Sequence, residues 1–308
     1  MLLYAATIFL SAFLLFQVQP LIAKIILPWF GGSAAVWSAA MLFFQLVLLA
    51  GYAYAHLSIR FLKAKTQVVV HAALLLASCA LLPILPSPAW KPSEAGDPTA
   101  RILLLLISTI GLPYFLLSST SPLLQAWYVR TSGSGMPYRL FALSNFGSML
   151  ALISFPFLVE PNLTSRHQAY AWSIAYVAFA LICAAAAWSS KDSAGQQVPD
   201  LPSAPPPRFI DLAIWVSLAA IASVLLFSIT THLSQNVAPI PLLWVLPLAL
   251  YLATFMIAFE SDKLYHRGVM FVLLVPIFYY MARDLYQDAG NLHIKYLIPV
   301  FSAGLFLC

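Results

Sequence analysis

The chain has 308 residues, of which 62% are hydrophobic and 8% charged, against about 25% charged in ordinary soluble domains. A soluble fold of this length could not hide so much apolar surface, so the composition excludes one and points to a helical protein in a lipid bilayer. The net charge of +5 calls for no nucleic-acid partner, because the distribution of basic residues across a membrane accounts for it.

An α-helix rises about 1.5 Å per residue, so roughly 20 apolar residues cross the hydrocarbon core. Ten such segments are expected, near 3–27, 33–58, 66–85, 101–119, 138–158, 167–189, 209–232, 239–259, 268–282 and 295–308. The N-terminus has no basic stretch and no small-residue cleavage site, so the first segment reads as a retained span rather than a signal peptide. The first two segments form a hairpin. Pro28, Gly31 and Gly32 break the helix at the LPWFGG corner, and Trp29 and Trp37 stand where an interfacial aromatic belt belongs.

Residues 190–208 (SKDSAGQQVPDLPSAPPPR) read as a proline-rich linker in which nothing can pack a core. The expected fold is therefore all-α and polytopic. A six-helix bundle over 1–189, the linker over 190–208 and four more spans over 209–308 give a major-facilitator-like 6+4 outline whose second half is incomplete. The last segment has only 13 residues from Tyr296, about 20 Å of helix, so the chain is expected to be a fragment. An interfacial last helix is the other way to read it.

If the N-terminus is cytoplasmic, nine basic residues fall inside and six outside. The cluster Arg60, Lys63 and Lys65 weighs most, and the positive-inside rule favours this orientation.

Several polar positions stand out. Gln17, Pro20 and Lys24 share one face of the first helix, with Gln45 in the second. They suit a solute or proton site between helices. The bland alternative is Lys24 snorkelling outward and glutamines bonding helices together. Pro122, preceded by Ser and Thr, is expected to open a short connector helix after the fourth span, carrying Trp127 and Arg130. Ser144, Asn145 and Ser148 with Gly147 make a polar patch suited to close packing or to solute contact. Ser228, Thr231, His232 and Gln235 share a face of the seventh span. They read as a relay or ligand contact, or as a helix end fraying into a loop.

Catalytic and metal signatures are missing from the sequence. The other histidines, His56, His71, His167, His266 and His293, lie singly near segment ends, and there is no HxxxH or HExxH. Cys79, Cys183 and Cys308 sit in apolar runs with no CxxC spacing. Gly133-Ser134-Gly135 is too short for a nucleotide fingerprint. No cofactor is expected in this chain.

Five stretches carry a family resemblance: LFQVQPLIAKIILPWFGGSAAVW at 15–37, LLAGYAYAHL at 48–57, SSTSPLLQAWYVR at 118–130, PYRLFALSNFGSMLALISFPFLVEP at 137–161, and TTHLSQNVAPIPLLWVLPLALYLATFMIAFE at 230–260. Together they resemble the opening of the bacterial fused major-facilitator-like/spermidine-synthase-like membrane proteins. That resemblance implies a bacterial inner-membrane location. It also implies further helices leading into a Rossmann-like aminopropyltransferase domain, which would bind decarboxylated S-adenosylmethionine or a relative. No catalytic residue can be transferred, because none of the matching positions exists in this chain.

Two functions follow as expectations. One is the membrane anchor, and conduit, of a spermidine-synthase-like enzyme. The other is a stand-alone secondary transporter of a small solute. All ten acidic residues lie in loops or at segment ends, which counts against a polyamine site within these helices.

Overall fold

The computed structural model describes residues 1–31, 34–92, 98–132, 138–190, 207–236, 245–260, 266–286 and 294–308, and among these all regular structure is helical. Seven helical stretches are long and apolar enough to cross a membrane: Leu2–Trp29, Ser38–Phe61, Thr99–Thr131, Leu140–Asn162, Ser165–Ser189, Phe209–Leu233 and Arg267–Tyr286. Three shorter apolar helices accompany them, Ala64–Cys79, Val245–Ala258 and Lys295–Leu307. Helices of this kind suit a lipid bilayer. The chain divides into two compact units, Met1–Asp200 and Leu201–Cys308. The division falls within 190–208, of which 191–206 lie outside the described residues, as does Gly133-Ser134-Gly135.

In the first unit, α1 (Leu2–Ile26) is the hub. It packs against α5 (Leu112–Ser132), α6 (Tyr138–Ser154) and α8 (Ser165–Ser189). Its polar side chains Thr7, Ser11, Gln17 and Gln19 are all buried. Polar groups on a lipid-facing surface are costly, so the polar side of such a helix turns inward. A short 3-10 turn at Leu27–Trp29 ends α1, and Gly31 follows at φ +87°, a left-handed conformation that only glycine adopts without penalty.

The chain returns as α2 (Ala34–Phe61) and α3 (Ala64–Cys79). A Cβ on Gly51 of α2 would stand 1.9 Å from Ser118 Oγ and 3.0 Å from the Phe115 carbonyl oxygen. Glycine therefore sets how closely α2 approaches α5, as small residues do between membrane helices. Gly147 of α6 likewise sits against α1, where a Cβ would meet the Phe9 carbonyl oxygen at 2.9 Å.

The fourth segment is longer than 101–119. Helix α4 (Thr99–Leu106), a π turn at Ile107–Gly111 and α5 are continuous. Pro122 does not open a separate connector; it lies inside α5. A proline removes one backbone hydrogen bond, but the turns after it are held by packing. Leu123, Leu124 and Trp127 are fully buried, and Arg130 bonds to α3. Helix α6 likewise runs on through a π turn at Phe155–Val159, which contains Pro156, into the short α7 (Glu160–Asn162). The wide turn absorbs the bond that Pro156 cannot make.

The second unit contains α9 (Phe209–Asn236), α10 (Val245–Glu260), α11 (Arg267–Tyr286) and α12 (Ile294–Leu307). The short α12 is not a helix lying apart. It packs against the other three, and Leu297, Phe301 and Leu305 join Ile229 and Leu233 in the core.

Candidate solute site in the first unit

Local chemistry at the start of α8 builds one wall of the site. Thr164 has extended backbone, and its hydroxyl accepts from the His167 N–H, which caps the helix. Gln168 then falls one turn in and is 3% exposed. Its amide nitrogen donates to the Leu163 carbonyl at 2.8 Å and to Glu160 Oε2 at 3.4 Å. Both partners are acceptors, so they fix the amide orientation. Gln168 Oε1 is left buried without a hydrogen-bond partner.

The opposite wall is α1. Gln17 is buried, its Oε1 has no partner, and its amide makes no hydrogen bond among the described residues. About two turns further on, Lys24 Nζ donates to Glu160 Oε2. Lys24 therefore does not simply snorkel outward. It neutralises the carboxylate placed by the π turn and α7, and each side chain is about one-third exposed. Between the two walls lies a cavity of about 180 Å³, lined by Phe13, Gln17, Phe155, Val159, Gln168 and Trp172 among others. Trp172 is held by its indole N–H, which donates to the Leu14 carbonyl at 2.9 Å.

A second polar cluster occupies the other end of the same unit. Gln67 of α3 is fully buried. Its Oε1 accepts from Trp127 Nε1 and from Arg130, each at 2.9 Å, and its amide nitrogen donates to Ser58 Oγ at 3.3 Å. Beside it, His71 is not a lone histidine at a segment end. It is fully buried, with Tyr54 Oη 3.4 Å from Nδ1, Cys183 Sγ 3.7 Å from Nε2, and the Trp127 ring edge-on at 5.6 Å. Tyr4, near the start of α1, touches Ser189 and Tyr128. This cluster therefore lies at the N-terminal end of α1 and the Lys24–Glu160 pair at its C-terminal end. Lys91 stands over the Trp29 ring at 5.5 Å, beyond that C-terminal end.

The remaining candidates are dispersed. Gln45 joins neither cluster. It is exposed on α2, on the face carrying exposed Leu42, Leu46 and Leu49, while Phe43 and Phe44 supply the buried side. Asn145 of α6 has a buried, unpartnered Nδ2 but lies outside the cavity. The neighbouring Ser148 hydroxyl donates to the Ser144 carbonyl at 3.0 Å. His232 belongs to the second unit and lies against Phe301 with ring centres 4.5 Å apart and the rings tilted by 33°. Gln235 lies in α9, which continues to Asn236, but its side chain is outside the described residues, as are Trp37's side chain and His293.

The sequence reading missed Gln168, Gln19, Gln67 and His71 as interior groups. Gln19 donates to Tyr114 Oη at 3.1 Å. The available signal was the number of glutamines and histidines in or beside apolar runs, each of which needs a protein partner in lipid. Among the described residues no group of His, Cys, Asp and Glu side chains is placed to hold a metal ion. Compared with known proteins, the chain matches no family model, no curated protein and no solved structure.

Proposed function

We propose that this chain is the integral-membrane part of a fused spermidine-synthase-like protein of the bacterial inner membrane. Its ten helices span in a 6+4 major-facilitator-like outline with the N-terminus cytoplasmic. The module anchors an aminopropyltransferase-like domain carried outside this chain, and its first unit serves as a conduit for a small solute. One observation carries the reading. Stretches that bear the family resemblance, far apart in sequence, interlock in the first unit. Lys24 from 15–37 pairs with Glu160 from 137–161, and Gly51 from 48–57 seats against Ser118 from 118–130.

The test is the intact mass of the native protein from its own membranes, with aminopropyl transfer to a polyamine assayed in the same fraction. A mass well above 33.8 kDa, together with transfer activity, is expected. A native mass of that size without activity would overturn the anchor reading. A stand-alone transporter is the second reading, favoured by the cavity beside Gln17. It requires solute flux that falls in Lys24→Ala.

A further inference from the structure

The cavity between α1 and α8 has a chemistry of its own. Its wall is almost wholly apolar and aromatic, with Phe13, Phe155 and Trp172, and its volume is about 180 Å³. A dry apolar cavity of about 150 Å³ accepts a benzene-sized ring. Two amides interrupt the apolar lining. Gln168, whose amide nitrogen is held by Glu160 and Leu163, and Gln17, whose amide no described residue holds, both border the cavity, and the oxygen of each is buried without a partner. In a low-dielectric interior an unpaired acceptor is costly, and a ligand that satisfies it recovers that cost.

The charge balance selects the ligand. Glu160 is not among the residues lining the cavity, and its carboxylate already holds the Lys24 ammonium. A cation entering the cavity would lose its hydration and find neutral amides and ring faces but no free carboxylate. A hydroxyl, by contrast, both donates and accepts. It can donate to one amide oxygen and accept from the Gln17 N–H after rotation of that side chain.

We propose that this cavity binds a neutral hydroxyl carried on a small apolar ring, a phenol-like ligand, with Gln17 and Gln168 recognising the hydroxyl and Phe155 and Trp172 the ring. The proposal rests on the reading of the first unit as the part that holds a solute, and it names the class of that solute. Polyamines fall outside the class.

The experiment uses the full chain in phosphatidylcholine nanodiscs, with 4-bromophenol, bromobenzene and spermidine as probes. Bromine quenches nearby indoles, so Trp172 in the cavity wall reports occupancy, and Trp172→Phe, which also removes a ring contact, should lose most of the saturable quenching. Saturable quenching by 4-bromophenol is expected. Bromobenzene should bind about fivefold to tenfold more weakly, the worth of about one net hydrogen bond. Gln17→Leu, which leaves the Lys24–Glu160 pair intact, should bring 4-bromophenol down to the bromobenzene level. The bromobenzene comparison needs no variant, so a misfolded Gln17→Leu protein would not rescue the idea.

Displacement of 4-bromophenol by an extract of the native lipids would assign the hydroxyl to a membrane lipid. No displacement would assign it to an aqueous solute, and both results support the site. Equal affinity for the two bromoarenes, displacement by spermidine, or no saturable quenching would each overturn it. None of these results bears on the native mass or on aminopropyl transfer, so this inference can fail while the anchor reading stands.

Discussion

The two units use apolar sequence in opposite ways. Within an apolar 18-residue window of each stretch, 67% of the residues are buried in Leu2–Trp29 of the first unit, whereas 6% are in Phe209–Leu233 and none in Arg267–Tyr286 of the second. Yet Phe209–Leu233 is the most apolar of the seven long stretches. In lipid there is no hydrophobic force driving helices together, so apolarity does not decide which helix is central. In the first unit the central helix is the one whose polar side chains are buried. Helix α1 carries Thr7, Ser11, Gln17, Gln19 and Lys24 and becomes the hub, while α9 turns Ile214, Leu218 and Ile221 outward.

The sharpest way to break this contrast is steric. Gly51→Leu in the first unit forces a side chain into Ser118 and the Phe115 carbonyl, whereas Gly268 in the second has nothing within 4 Å of a Cβ. Gly51→Leu is expected to destabilise by about 3 kcal/mol, and Gly268→Leu by less than about 0.5 kcal/mol. Thermal unfolding of the purified proteins in one detergent compares them. Equal effects would remove close helix approach as the distinction between the units.

A smaller loss is expected from Gln67→Leu. It strips the acceptor from Trp127 and Arg130 at the N-terminal end of α1. Leaving a buried donor unsatisfied costs about 1–3 kcal/mol. Chemical unfolding followed by Trp emission measures it, and an unchanged midpoint would mean water replaces the glutamine.

The Lys24–Glu160 pair should matter less, because both groups are partly exposed. A double-mutant cycle with Lys24→Met and Glu160→Gln is expected to give a coupling of about 0.5 kcal/mol that shrinks with added salt. A coupling several times larger and independent of salt would place the pair in a much drier environment. The smallest effect is expected at Gln45. Gln45→Leu should stay within about 0.5 kcal/mol of wild type in the same unfolding assay. A loss above 1 kcal/mol would show that exposed Gln45 has a partner.

Much of the fold was legible because a helix in lipid must satisfy its own backbone, so length and apolarity reveal it locally. The corner at Pro28–Gly31 was legible for the same reason, since proline and glycine act on their own backbone. Pro122 shows where local reading stops. Its start signal was sound, but Trp127 and Arg130 found partners on α3 and kept the helix running. At the candidate site, Gln17 was visible as a polar group on an apolar helix. Its neighbour Gln168 was not, because it sits at a segment boundary where a glutamine looks ordinary.

By itself, the sequence determined the helical class, the approximate positions of the apolar helices, the corner after α1 and the polar face containing Gln17 and Lys24. Each depends on residues within a few turns of one another. Only the tertiary structure decided that Lys24 meets Glu160, 136 residues away, that Gln17 and Gln168 share a cavity, and that Gln45 faces outward. Those outcomes depend on which helices pack together and at what rotation. Apolar residues of similar size leave that choice open, and a few glycines and buried polar groups settle it.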